Sequence, residues 1–428
     1  MPLPERPPKS YVEIPDAVYG RTDSTSVQFV LHSPFMQRTT RIKQLGGAYL
    51  IFPDATHTRF SHMKGTAHIV RIRCEWLLAR GQITQEESLN VQIAAALHDV
   101  GHDTFSHLIE LLRGSHDEAS VTMALGELAH YIVQQGGDPE FVAQILRREH
   151  PLSDLIFPLL GADKLDYLVR DALFAGKGLS RLDDLFTTHV RWEREVGIFA
   201  LQKGVGLVVS LANRYWEQYS EIYERHSTRV FQRYLQELLR QMIVNDTTVN
   251  RRLHHAGEDG VMGAIGIWCE HNQGHECAER HERILGRDHP KKAVVFAPRP
   301  NMVPLRIKPT LAKVECSTDL VTRSEAWSAD QLAALEGQIA VMLQVSPARV
   351  SLSPSPPARR WSVPKVQVQT GKDDIMLLGD IAPNMAASAQ MWREMSCTVA
   401  LSVTGDLRER VVGDARFIQD VHQLLLTT

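Results

Sequence analysis

The chain has 428 residues, 43% of them hydrophobic and 23% charged, the make-up of an ordinary soluble globular protein with room for two or three domains. Its 47 basic and 50 acidic side chains leave a formal charge of -3, which excludes the broad positive field that draws a protein to nucleic acid or to an anionic membrane. Five scattered cysteines exclude a disulfide framework, and the expectation is a reducing, cytoplasmic setting.

In chain order, MPLPERPPKSYVEIP sets prolines and charges where a secretory leader needs an apolar run, and residues 1–29 read as an N-terminal extension. From about residue 85 to 250 apolar residues recur at three- and four-residue spacings, which predicts helix almost throughout. In ESLNVQIAAALHDVGHD, Val91, Ala94, Ala95 and either Leu97 or His98 share one stripe, and Gly101 interrupts the helix. The run LVVSLANRYWEQYSEIYERHSTRVFQRYLQELLRQMIV carries an aromatic stripe read as core packing, and GVGLVVSLA, the longest apolar stretch, is too short to span a bilayer. CEHNQGHECAERH offers Cys269, His271, His275, Cys277 and His281, but its spacings fit no common zinc module and an exposed polar helix is expected.

The texture changes near residue 292. VVFAPRPNMVPLRIKP reads as a proline-rich connector over 292–310. Beyond it, SADQLAALEGQIAVML is an amphipathic helix whose Ser328 and Gln331 fit a capping box. The short runs ARVSL, KVQVQ, IMLL and TVALSVT read as strands and DARFIQDVHQLLL as a closing helix, so residues 311–428 are expected to form a small α+β domain. SPSPPARRW reads as an exposed loop, with Arg359, Arg360 and Trp361 as solvated surface.

The chemistry concentrates in AALHDVGHDTFSHL, where His98, Asp99, His102, Asp103 and His107 interrupt an apolar stretch. Five such groups are costly to bury unpaired, so a metal ion or a hydrogen-bonded network has to account for them. His98 and Asp99 are neighbours, about 100° apart on a regular helix, and can share one ion at the helix end that Gly101 supplies. Further donors lie upstream in FPDATHTRFSHMKG, with His57, Arg59 and His62, and downstream in GADKLDYLVRD, with Asp163, Lys164, Asp166, Tyr167, Arg170 and Asp171. One histidine, the His98–Asp99 pair and a distant aspartate make a four-ligand site that leaves positions open for water and substrate.

His62, then His98–Asp99, then Asp163 stand in the H…HD…D order of the HD-domain metal-dependent phosphohydrolases. The strings RIKQLGGAYLIFPDATHTRFSH, HDVGHDTFSH and ADKLDYLVRD resemble the branch of deoxynucleoside triphosphate triphosphohydrolases, including those bearing a sterile alpha motif, over roughly residues 30 to 240. The resemblance implies a mostly α protein, with an HD-type helical catalytic domain over 30–291 followed by the small α+β domain. It makes His62, His98, Asp99 and Asp163 the ligands of one divalent ion, whether iron, zinc, manganese or magnesium, with an additional magnesium possible on the triphosphate. It gives His102, His107, Glu110 and His116 to the phosphate chemistry. His107 is our choice of general acid, oriented by Glu110 three residues on, while His102 and His116 meet phosphate oxygens or relay protons. Arg59 and Lys164 would neutralise phosphate charge. Gln44 and Leu45 match a glutamine–leucine pair that contacts the sugar 3'-hydroxyl and crowds out a 2'-hydroxyl, and Tyr167 and Asp171 match further sugar contacts.

The expected activity is hydrolysis of deoxynucleoside triphosphates to deoxynucleoside and inorganic triphosphate. The alternatives are a phosphatase or phosphodiesterase acting on nucleoside monophosphates, cyclic nucleotides or oligonucleotides, and a non-catalytic nucleotide sensor. The resemblance further implies a homo-oligomer, a dimer or tetramer; neither membrane nor nucleic-acid partners are expected. Two departures stand out. Asp103 and Thr104 replace a Gly-Pro of the family pattern, and His32 and Thr40 replace the aspartate and arginine of members activated by guanine nucleotides, although Gln37 and Arg38 persist.

Overall fold

The computed structural model describes residues 13–106, 108, 115–178, 188–245, 256–303, 311–371 and 374–428. The protein is mostly α, with short sheets concentrated in its C-terminal part. Its centre is the helix Arg59–Leu78, packed against Gln85–Leu97 and Ala162–Phe174. Thr58 caps the first by accepting from the Ser61 amide, and Thr84 with Glu87 forms a reciprocal capping box on the second. Arg59–Leu78 falls outside the segment expected to be helical for a physical reason. It is enclosed almost all round, burying His62, Lys64, Thr66 and Arg73 as well as Met63, Ile69, Val70 and Leu77, so no apolar stripe marks one face.

Ten short strands complete the described fold. β1 (Glu13–Asp16) and β2 (Gly20–Asp23) form an antiparallel hairpin within the expected N-terminal extension. β3 (Val190–Glu193) and β4 (Gly197–Leu201) form another inside the run expected to be helical. The remaining strands are β5 (Lys291–Ala297), β6 (Ala312–Glu315), β7 (Val350–Ser353), β8 (Gln367–Gln369), β9 (Ile375–Leu377) and β10 (Val399–Val403). Two four-stranded sheets result, in the orders β6-β5-β10-β7 and β3-β4-β8-β9.

Three expectations need correction here. The segment expected to open a connector at residue 292 is instead the inner strand β5, which pairs Val295 with Ala400; its prolines begin only at Pro298, after VVFA has been buried. SPSPPARRW is not plain solvated surface, because Trp361 is buried and Arg360 forms an ion pair with Glu224. CEHNQGHECAERH spans two helices, Glu258–His271 and Glu276–Leu285, with His271 exposed but Cys269 and Cys277 buried beside Ile265 and Ile284. The parallel pairing of β4 with β8, Ala200 opposite Val368, ties residues 190–201 to the C-terminal segment. The main apolar core draws on residues from Val27 to Leu425, with smaller buried clusters beside it, among them those of Phe231 and Leu45. No described helix is long and apolar enough to cross a membrane.

Candidate metal centre

Three helix ends converge to make the site. His62 lies in the first turn after the Thr58 cap, His98 ends the helix Gln85–Leu97 with Asp99 following it, and Asp163 opens the helix Ala162–Phe174. His62 Nε2 stands 3.1 Å from His98 Nε2, 3.3 Å from Asp163 Oδ1 and 3.6 Å from Asp99 Oδ2. His98 Nε2 lies 3.7 Å from both Asp99 Oδ1 and Asp163 Oδ1.

The other ring nitrogens decide what these atoms can do. His98 Nδ1 sits 2.8 Å from the Ala95 carbonyl, which can only accept, so Nδ1 carries the proton. His62 Nδ1 lies 2.8 Å from Asp166 Oδ2, and that carboxylate is kept ionised by Arg170, which reaches both its oxygens at 2.9 Å. Burial opposes the Asp166 charge, but Arg170 and His62 outweigh it and hold the carboxyl well below its usual range. Both Nε2 atoms of neutral rings therefore present lone pairs, facing one another and two carboxylates, an arrangement stable only with positive charge between them. That donor set fits a divalent cation. Without an ion, a proton takes its place: burial lowers the His62 pKa, yet Asp163 and Asp166 override it and push it up to about 10. Asp163 and Asp99 are likewise held well below the ordinary carboxylate range against burial, Asp163 chiefly by His62 and His98 and Asp99 chiefly by Arg59 and the histidines.

Asp99 also belongs to a second trio. His102 and His116 stack with ring centroids 3.7 Å apart, their Nε2 atoms 3.6 and 3.7 Å from Asp99 Oδ1. Both trios, His62–His98–Asp99 and Asp99–His102–His116, have ligand atoms close enough to hold a metal ion. Gly101 makes this approach feasible, since a Cβ there would lie 2.4 Å from the His116 carbonyl oxygen. The following turn places Phe105 and Ser106 at φ 64 and 54, and Arg59 Nε holds Ser106 Oγ at 3.1 Å.

The other predicted residues fall around this core. Arg59 bonds Asp99 and the Gln44 carbonyl, so in this state it serves the carboxylate. Lys164 Nζ donates to the Phe157 carbonyl at 2.8 Å and lies 3.8 Å from Asp163. Tyr167 places its ring 6.3 Å from that of His62. Gln44 is buried and its Oε1 has no hydrogen-bond partner among the described residues, while Leu45 packs with Ala48, Ala55 and Ile222. Asp171 is held between His57 Nε2 at 2.7 Å and the Tyr223 hydroxyl at 2.6 Å. His107 and Glu110 lie outside the described residues. Asp103 faces Arg38 at 3.5 Å, and Arg38 also donates to the Val100 carbonyl.

Sequence reasoning missed the support behind His62. Asp16 of the β1–β2 hairpin and Tyr19 both reach the Asp166–Arg170 pair, at 3.2 Å from Arg170 and 2.9 Å from Asp166 respectively. The available signal was Gly65, one turn beyond His62, where a Cβ would fall 2.0 Å from Asp166 Oδ1.

Comparison with known proteins agrees with this geometry. The HD domain family matches residues 59–171. An uncharacterised protein of Methanocaldococcus jannaschii is 30% identical over 205 residues, 47% of this chain and 43% of its own length. Human deoxynucleoside triphosphate triphosphohydrolase SAMHD1 is 31% identical over 161 residues, 35% of this chain and 25% of its own. The matched region thus spans less than half the length of these relatives. A phosphohydrolase crystal structure from Bacteroides thetaiotaomicron superposes with TM-score 0.68 at 19% identity, covering 92% of this chain and 99% of that one. A hypothetical protein from Aquifex aeolicus gives 0.68 at 22% identity, covering 94% and 98%. At such identities these two structures show a shared fold alone.

Proposed function

Residues 59–171 match the HD domain family, and on that premise we propose that the chain is a metal-dependent phosphohydrolase that converts deoxynucleoside triphosphates and water to deoxynucleoside and inorganic triphosphate. The observation that carries the hydrolytic reading is the pair of His62 and His98 Nε2 lone pairs converging with Asp99 and Asp163. A divalent cation held by these four residues, iron, zinc, manganese or magnesium, supplies Lewis-acid polarisation of phosphate and acidification of water. The protein side chains do the rest. Asp166 fixes the His62 tautomer, and Arg170, itself held in place by Asp16, keeps Asp166 ionised. His102 and His116 line one side of Asp99, where they can meet phosphate oxygens and pass protons. Water attacks the α-phosphorus, the bond from phosphorus to the 5'-oxygen breaks, and that oxygen takes a proton from the general acid, for which His107 remains the proposal. Lys164, beside Asp163, offsets phosphate charge.

The deoxyribose reading is supported by Gln44 and Asp171. A buried amide oxygen without a partner is an acceptor suited to a sugar hydroxyl, and leaving it unmet costs about 1–3 kcal/mol. Asp171, braced by His57 and Tyr223, keeps acceptor capacity for the same hydroxyl. The name of the human relative points the same way. As an oligomer the protein is proposed to be a dimer or tetramer, which light scattering checks.

Product analysis tests the activity. With dNTPs, NTPs, dNMPs and bis-p-nitrophenyl phosphate offered separately, deoxynucleoside and inorganic triphosphate in equal amounts are expected from dNTPs. Release of only monophosphate or nitrophenol replaces this reading with the phosphatase or phosphodiesterase one. Silence with all four metals replaces it with the nucleotide-sensing one.

A further inference from the structure

Phe105 and Ser106, in the turn that follows His102, take left-handed φ values of 64 and 54 in succession. Side chains crowd the backbone there, so two such residues in a row persist only where their surroundings over-determine them. In the family pattern a Gly-Pro pair precedes this turn, and a proline stiffens the chain by fixing φ. Asp103 and Thr104 stand there instead, with side chains that can form bonds of their own. The restraint has to come from elsewhere in the fold.

Three distant segments supply it. The Thr104 hydroxyl donates to the Ala256 carbonyl, and the Phe105 amide donates to Glu258 Oε1 at 3.2 Å. Asp103 faces Arg38 at 3.5 Å, and Ser106 Oγ donates to the Lys43 carbonyl at 3.1 Å. Glu258, the first residue of the helix Glu258–His271, is 1% exposed and also accepts the Lys43 amide on both of its oxygens at 3.0 Å. Burial pushes its pKa above the ordinary value, against the pull of the Lys43 and Phe105 amides. One buried carboxylate thus ties the residue before Gln44 to the turn after His102. The Phe105 ring completes the anchor, buried with Leu235, Val261 and Ile265. Ala256 and Glu258 lie beyond residues 59–171, so a segment outside the HD match fixes the turn that leads from one proposed phosphate-facing histidine, His102, toward the next in sequence, His107.

We propose that Thr104 and Glu258 are positioning residues: they hold the Phe105–Ser106 turn so that the histidines flanking it in sequence deliver a proton to the leaving oxygen, and they take no part in holding the metal. The proposal rests on the hydrolytic reading above but not on which nucleotide is the substrate.

The test compares whichever nucleotide the product analysis finds to be cleaved with its analogue bearing sulfur in place of the leaving oxygen. The oxygen needs a proton to depart, whereas the thiolate, a weaker base, departs without one. Thr104→Val and Glu258→Gln should lower kcat about tenfold to a hundredfold on the oxygen substrate and less than about threefold on the sulfur one, because a misplaced acid slows only the step that needs it. KM, and metal affinity by chelator competition, should stay near wild type, and Thr104→Ser, which keeps the hydroxyl, should retain most of the rate. Melting temperatures close to wild type show that the variants are folded, and the isosteric Thr104→Val carries the test should Glu258→Gln not fold. An unchanged rate, equal losses on the two substrates, a loss confined to KM, or metal affinity that falls in step overturns the proposal and leaves the hydrolytic reading standing. Turnover of no nucleotide by wild type removes that reading and the positioning role with it.

Discussion

At the metal centre, Asp99, Asp163 and Asp166 are buried carboxylates kept ionised by histidines and arginines that reach their oxygens directly. In a cavity beside β5 and β10, His226 is a half-buried imidazole whose pKa is pushed down by desolvation and by the lysine, arginine and histidine around it. Burial opposes charge in both places, so the sign that survives is set by which groups the neighbouring elements deliver. The first arrangement concentrates acceptor atoms and asks for a cation, whereas the second concentrates donors.

Four measurements break or sharpen that contrast. The largest effect is expected at the shared ligand. Asp99→Ala should reduce bound divalent metal to background by elemental analysis and lower hydrolysis roughly a thousandfold or more, because the cation is asked to supply several kcal/mol of the barrier. A metal content unchanged in this variant removes the basis for a cation-directed centre. Next, Asp166→Asn replaces no proposed ligand but loosens the His62 tautomer, and competition with a chromogenic chelator should show metal affinity about 10–100-fold weaker. Retained affinity would leave Asp166 a merely structural residue.

Third comes an effect of pH on stability. Burial opposes ionisation of Asp16, but Arg170, Lys64 and the Val18 amide hold its carboxyl below the ordinary 3.8. For an acid with a lowered folded pKa, the stabilisation is fully present above the unfolded value and is lost as pH falls through the folded one. In chelator, the melting temperature should thus hold between pH 5 and 7 and fall below about 4, and Asp16→Asn should flatten that acid limb. An unchanged limb would mean that this network does not control acid stability. The smallest effect belongs to the surface. Asp406 pairs with Arg349 and has a pKa lowered to about 2, yet its side chain is 61% exposed, so Asp406→Asn should change stability by less than about 1 kcal/mol in denaturant titration.

Much of the site was legible because its ligands are carried by short local strings. The four expected ligands come from three separated segments, and each sits at a helix end where its neighbours in sequence place it. The Ser328–Gln331 capping box, the four short C-terminal strands and the closing helix Ala415–Thr427 were legible for the same reason, since caps and alternation act over a few residues. Asp16 and Tyr19 were not, because nothing near them in sequence says that a hairpin will fold onto Arg170. The helix Arg59–Leu78 escaped for a related reason, as a helix enclosed almost all round has no clear face to betray it.

The sequence by itself determined the donor types, the H…HD…D order, the capping of the helices and the strand-forming character of the C-terminal segments, all properties of neighbouring residues. Only the tertiary structure decided that β4 pairs with β8 across the expected boundary, that Asp103 faces Arg38, and that Arg229, Lys292 and Arg408 line one cavity. Such contacts join residues tens to hundreds of positions apart, and their geometry follows from how the elements bury their apolar surface together, which no local pattern encodes.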